Sequence, residues 1–317
     1  MRRWLAVGAA GALALGVAAC GDDSKDSGGG GGGDLSGDIA IDGSSTVFPF
    51  AQAAAEQFQA ENPNVKITVG QSGTGGGFEK FCAGETDISD ASRPIKDDEE
   101  VPICKKNGVK YQEVQVANDG IAVVTNKELT IDCMTTDELK KLWATGDAKT
   151  YKDASSKLPA EKVSLFGPGT DSGTFDFFTD EINGEEGKTR KDYQPSEDDN
   201  VLVQGVKGDA NGLGYFGFSF YEQNQDELNL VGVDDGTGCV KPSSETIQDG
   251  SYKPLSRPIF MYPSEKALAE PQVKAFMDYI LANQTEIAET AKIVPMTPEQ
   301  QKKSDSDLKS AEGGAGS

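Results

Sequence analysis

Three times along this 317-residue chain a strand pattern ends in a loop of glycine, serine and threonine that leads into a helical pattern. The loops are Gly43-Ser44-Ser45-Thr46, residues 70–77 (Gly-Gln-Ser-Gly-Thr-Gly-Gly-Gly) and residues 169–174 (Gly-Thr-Asp-Ser-Gly-Thr). Glycine permits a tight turn and close backbone approach, hydroxyls donate hydrogen bonds, and unpaired N–H groups at a helix start favour an anion. One such loop is also an ordinary turn or helix cap. Three in one chain point to an α/β fold and to an oxyanion held mainly by dipoles.

The intervening segments fit that grammar. Residues 38–43 read as a strand and residues 50–61 as a helix with Phe50, Ala54 and Phe58 on one face, stopped before Pro63. Residues 65–69 alternate as a strand, and a second helix is expected from Phe78. A second unit opens with the apolar run 120–125, followed by an amphipathic helix over residues 135–143 and a strand at 163–166. Residues 175–181 are predicted helical, 212–217 and 259–262 extended, and 271–283 helical with Val273, Phe276, Met277 and Ile280 on one face. No repeat of 20–50 residues is evident.

Nucleotide loops are excluded, because no Gly-Lys-Ser/Thr ending is present and GxGxxG fits residues 73–77 only loosely. The chain contains no histidine. Ser-His-Asp hydrolysis, Cys-His chemistry and HExxH zinc sites are therefore ruled out, and Ser172 has no imidazole to activate it. With 52 acidic and 30 basic residues the formal charge is −22, which argues against a nucleic-acid partner. The acidic clusters at residues 97–100 and 197–199 match no calcium loop and read as solvated surface, so no metal or cofactor is expected.

The ends carry addresses. Residues 1–19 combine Arg2 and Arg3, a short apolar stretch and small residues before a cut site, the pattern of a secretory signal. Leu15-Gly16-Val17-Ala18-Ala19-Cys20 resembles a bacterial lipoprotein cleavage box, which would make Cys20 the lipidated first residue and the protein membrane-anchored. Losing the two arginines would leave 28 basic against 52 acidic groups, a charge of −24. Residues 20–36, with six consecutive glycines from Gly28, read as a flexible tether, and residues 304–317 as a disordered tail. The remaining cysteines, Cys82, Cys104, Cys133 and Cys239, allow three disulfide pairings. Cys82–Cys104 with Cys133–Cys239 is favoured because each pair stays within one expected lobe. A four-thiolate metal site is the alternative, without CxxC spacing to support it.

Four stretches in order, residues 41–47 (Ile-Asp-Gly-Ser-Ser-Thr-Val), 72–75 (Ser-Gly-Thr-Gly), 87–95 (Asp-Ile-Ser-Asp-Ala-Ser-Arg-Pro-Ile) and 171–174 (Asp-Ser-Gly-Thr), resemble the substrate-binding lipoprotein of bacterial ABC phosphate transporters. The likeness runs from about Asp38 to Met296 and includes residues 139–143 and 256–260. It implies a type II periplasmic-binding-protein fold, two α/β lobes closing on a hinge over one phosphate. Lobe 1 would comprise residues 37–116 and 255–303, and lobe 2 residues 117–254. The resemblance assigns phosphate to Ser45, Thr46 and the Val47 N–H, to Ser72 or Thr74, and to Ser172, Gly173 and Thr174. The implied partners are inorganic phosphate and permease subunits, the implied state a monomer, and the implied activity binding without catalysis.

Two departures from the family pattern stand out. Pro168 occupies the position where many members carry an arginine, which makes Arg93 the expected positive charge; the alternative for Arg93 is a surface ion pair with residues 97–100. Ser92 replaces the aspartate that accepts a hydrogen bond from the proton phosphate retains at neutral pH and sulfate lacks. Asp119 is the expected replacement acceptor, with Asp90 and Asp171 as rivals and a turn or cap as its bland alternative. Competing functions are a receptor for sulfate or molybdate, a metal-assisted phosphatase, and a surface sensor or adhesin.

Overall fold

The computed structural model describes residues 35–170 and 172–314. The signal, the tether and Cys20 lie outside the described residues, as does Asp171. The first lobe begins with β1 (Gly37–Gly43), α1 (Phe48–Glu61), β2 (Val65–Val69), α2 (Gly73–Ala83), β3 (Ile88–Ala91) and α3 (Glu100–Asn107). The long strand β4 (Val114–Asn126) leads into the second lobe. There follow β5 (Cys133–Thr135), α4 (Thr136–Trp143), α5 (Tyr151–Ala154), β6 (Ser164–Pro168) and α6 (Gly173–Phe178), which continues as a π-helical turn (Thr179–Asn183). Next come β7 (Gln194–Ser196), α7 (Asp199–Gly208), β8 (Gly212–Gly217), α8 (Phe218–Glu222), β9 (Leu228–Asp234), β10 (Cys239–Val240) and α9 (Ser244–Gln248). The chain returns through β11 (Ser256–Pro263), α10 (Glu265–Leu268), α11 (Pro271–Thr290) and α12 (Pro298–Gly314).

The strands run in the order β2-β1-β3-β11-β4-β8-β6-β7, with β9 also on β4. β1 is parallel to β2 and β3, and β11 is antiparallel to β3 and β4. β4 serves both lobes. Its first half, from Val114 to Gly120, pairs with β11, and its second half, from Ile121, pairs with β8 and β9. The junction of the lobes is thus the β4–β11 ladder, where Asp119 faces Arg257 and Asn118 faces Pro258.

Each lobe has its own core. Ile39, Ile41, Phe50, Phe58, Phe276 and Ile280 centre the first, where Phe58 meets Phe276 edge-on at 5.3 Å. Trp143, Phe178 and Tyr215 centre the second, with the Phe178 and Tyr215 rings stacked at 3.7 Å. Burying each such side chain stabilises the fold by about 1.5–3 kcal/mol. Thr135 and Glu138 close a capping box that starts α4. Cys82–Cys104 joins α2 to α3, and Cys133–Cys239 joins β5 to β10, the favoured pairing.

Three sequence expectations need correction. α2 begins at Gly73 rather than Phe78, because Gly77 packs against the backbone of Gly43, where a Cβ would strike it. α11 continues to Thr290, burying Gln284, Ile287 and Ala288 beyond the expected end. Residues 304–314 are helical rather than a disordered tail: Ser304 and Leu308 are buried, and the Ser304 hydroxyl donates to the Gln115 carbonyl at 2.8 Å. The pattern looked polar because Leu308 is the one buried apolar side chain among the described residues of that helix.

Candidate anion-binding cleft

All three glycine–hydroxyl loops reach one cleft between the lobes, a cavity of about 640 Å³. Loop 1 is wound on Ser44, whose N–H donates to the Asp90 carbonyl at 3.0 Å and whose hydroxyl accepts from the Thr46 N–H at 3.2 Å. That winding turns the Ser45 and Thr46 side chains into the cavity. Val47 points into the first core, and its N–H is spent on the Ser44 carbonyl at 3.2 Å, so it does not supply the expected cleft donor.

Loop 2 contributes Ser72, Gly73 and Thr74 to the lining. Its hydroxyls are committed locally. Ser72 bonds the Asp42 carboxylate, and Thr74 lies 3.0 Å from the Ser92 hydroxyl and accepts the Ser92 N–H at 3.2 Å. Burial pushes the Asp42 carboxyl up, but hydrogen bonds from Lys80 and Ser72 hold it below the usual carboxylate range. Loop 2 is therefore a braced wall.

From the second lobe, α6 presents Gly173, Asp176, Phe177 and, in the following turn, Asp180, a spacing of three, four and seven that marks one helix face. Ser172 caps this helix by accepting the Thr174 N–H at 3.2 Å, and neither Ser172 nor Thr174 lines the cavity. Gly173 meets loop 1 directly. A Cβ there would strike the Thr46 amide nitrogen and lie 2.7 Å from the Ser45 carbonyl carbon. Ser45 donates across the cleft to the Asp176 carboxylate at 3.3 Å.

The positive charge on the floor is Arg257, which sequence reasoning missed. Its Nη2 donates to Thr46 Oγ1 at 2.8 Å, its guanidinium lies 3.5 Å over the Phe177 ring, and its Nε is 3.5 Å from Asp119. One side chain on the hinge strand thus touches both lobes. Arg93, the expected cation, also lines the cavity, but its guanidinium grips Glu100 through two bonds of 2.6 and 3.1 Å. That is the ion pair with the acidic run that was its alternative. The signal was present: Ser-Arg-Pro-Ile occurs twice, at residues 92–95 and 256–259, on the neighbouring strands β3 and β11 or just beyond them.

Asp119 does not reach the cavity; it is buried behind Arg257, in the place of a counter-ion. Burial pushes its carboxyl up, opposed by the Arg257 charge. Asp90 is buried beneath loop 1 and also stays off the lining. The carboxylate on the cavity wall beside loop 1 is instead Asp176. Burial and the Glu186 charge raise it, while Ser45 and Arg257 draw it down.

Residues 28–284 match the PBP superfamily domain. The phosphate-binding protein PstS of Staphylococcus haemolyticus is 43% identical over 315 residues, 98% of each chain. A crystal structure of a possible phosphate binding protein from Planctomyces limnophilus superposes with a TM-score of 0.82 at 42% identity, covering 87% of this chain and 99% of that one. A Clostridium perfringens chain assigned as a phosphate ABC transporter substrate-binding protein, solved with bound phosphate, gives 0.58 at 27% identity over 82% of this chain and all of that one.

Proposed function

This chain belongs to the PBP superfamily and, within it, to the PstS-type phosphate-binding proteins, and from that premise we propose that it is an extracytoplasmic receptor delivering inorganic phosphate to an ABC importer. The carrying observation is the convergence of Ser45, Thr46, Gly173, Asp176 and Arg257 on one cavity between the lobes.

Phosphate enters the open cleft and settles against the Ser45 and Thr46 hydroxyls and the Arg257 guanidinium. Charge-assisted hydrogen bonds supply most of the affinity. Asp176, facing the same floor, accepts a hydrogen bond from the ligand's remaining O–H and repels an anion that has none. Closure brings Gly173 against loop 1, desolvates the anion and presents a changed lobe surface to the permease. The ligand leaves unchanged, so the protein is a monomeric binder and no enzyme. Residues 1–19 direct export, and a lipid on Cys20 holds the body at the membrane through its glycine tether.

Calorimetry tests this reading. Phosphate binds with one site per chain and sulfate does not compete; equal binding of both anions, or of neither, defeats it.

A further inference from the structure

The hinge is held by a part of the chain that lies outside the cleft. Asn118, one residue before Asp119 on β4, spends both backbone groups on Val294, with N–H to carbonyl distances of 2.8 and 2.9 Å. Its buried side chain forms a two-way amide pair with Gln300 of α12, Nδ2 to Oε1 at 3.1 Å and Nε2 to Oδ1 at 3.2 Å. Gln300 is also half of a capping box. Its Oε1 accepts the Thr297 N–H at 2.9 Å, and its own N–H donates to the Thr297 hydroxyl at 3.2 Å. The same Nε2 reaches the Gln248 carbonyl of α9 at 3.0 Å, and Gln248 Nε2 donates to the Pro295 carbonyl at 2.9 Å.

These bonds tie three bodies together. Val294 and Ile247 belong to the second core, Met296 and Leu308 to the first, and Asn118 to the strand that joins them. Both side-chain amide groups of Asn118 and of Gln300 are bonded, so any change in lobe angle that separates the two strips the buried Asn118 amide of partners it cannot easily replace. We propose that the first turn of α12 is a strap across the hinge and that Gln300 is its positioning residue, limiting how far the lobes open and so how fast bound anion leaves. It acts through Asn118 on Asp119 and Arg257, the next residues in the ladder, and does not touch the ligand.

The effect on release rests on the phosphate reading; the effect on lobe opening does not. Spin labels at Lys96→Cys and Glu186→Cys, exposed on opposite lips of the cleft, report lobe separation in the full chain carrying Cys20→Ser. Gln300→Ala broadens the ligand-free distance distribution toward larger separations. It raises the phosphate dissociation rate roughly three- to tenfold, the loss of about one hydrogen-bonded pair, with the association rate within about twofold. Leu308→Ala, which loosens α12 but keeps the amide pair, lowers Tm without either change. If Gln300→Ala lowers Tm as Leu308→Ala does and leaves the ligand-free distribution at the parent's, the strap is refuted. A parent protein that fails to bind phosphate defeats the proposed function, while the ligand-free distribution still decides the strap.

Discussion

Ser45 of the first lobe and Asp176 of the second meet across the cleft, hydroxyl to carboxylate oxygen, at 3.3 Å. A carboxylate in that position makes the site sensitive to whether an arriving anion carries a proton. Phosphate can donate to it; sulfate can only repel it. In Asp176→Asn the amide donates instead, so sulfate binding becomes measurable and the phosphate-to-sulfate preference falls by about 10–100-fold, the worth of one hydrogen bond to a charged group. Competition calorimetry at pH 7 checks this, and an unchanged preference removes Asp176 from the specificity argument.

Arg257 and Arg93 both line the cavity, yet their partners separate their roles. Arg257 holds Thr46 and stacks on Phe177, whereas Arg93 is locked to Glu100. Arg257→Lys keeps the charge but loses the planar fork, and phosphate affinity drops at least about tenfold. Arg257→Ala, made with Asp119→Asn to avoid a lone buried carboxylate, drops it by about 100-fold or more. Arg93→Ala stays within a few-fold. Titration of the three variants ranks them, and an Arg93 effect larger than that of Arg257 inverts the assignment.

The fold and the three loops were legible because strand–loop–helix periodicity and glycine placement are local. What the loops do with their hydroxyls was not. Ser72 and Thr74 look the same in sequence as Ser45 and Thr46, but folding ties the first pair to Asp42 and Ser92 within their own lobe and the second pair to Asp176 and Arg257 in the cleft. The two Ser-Arg-Pro-Ile strings are likewise equal as text. An acidic run follows only the first of them, and its Glu100 neutralises Arg93; strand order then leaves the other arginine facing the floor. Asp176 could have been found from its spacing of three after Gly173 on one helix face.

Gly173 tests closure apart from chemistry. An added methyl collides with loop 1 across the cleft, a clash that opening of the lobes would relieve. Gly173→Ala therefore weakens phosphate binding by about tenfold or more while moving Tm little, since overpacking of about 1–3 kcal/mol falls on the closed state alone. Calorimetry paired with thermal unfolding separates the two. A matching fall in Tm without loss of affinity assigns the glycine to stability.

Asp199, at the start of α7, gives the fold a pH signature. Burial pushes its carboxyl up to about 6, with the Gly217 N–H opposing and the charges of Asp198 and Glu197 adding. The folded protein therefore holds this proton more tightly than the unfolded chain. The resulting stability is full below about pH 4 and is lost as pH rises through about 6, by up to about 3 kcal/mol. Asp199→Asn removes that loss, so the variant gains on the parent between pH 4 and 7 in urea unfolding. A constant difference across that range contradicts the assignment.

Salt dependence of capture follows from where the charges stand. The chain carries −22, and on the cleft mouth Asp180, Glu181 and Glu186 face the incoming anion. The cations on the opposite lip are already paired, Lys96 with Glu99 and Arg93 with Glu100, and Arg257 lies deep beside Asp119. The far field is therefore repulsive even though the floor is attractive. Screening shortens the repulsion to about 8–10 Å at physiological salt and leaves the buried contacts almost untouched. The association rate should rise by about twofold between low and physiological salt, with the dissociation rate nearly constant. Stopped-flow mixing with phosphate reads both rates. An association rate that falls with salt places an attractive patch at the mouth and overturns this charge map.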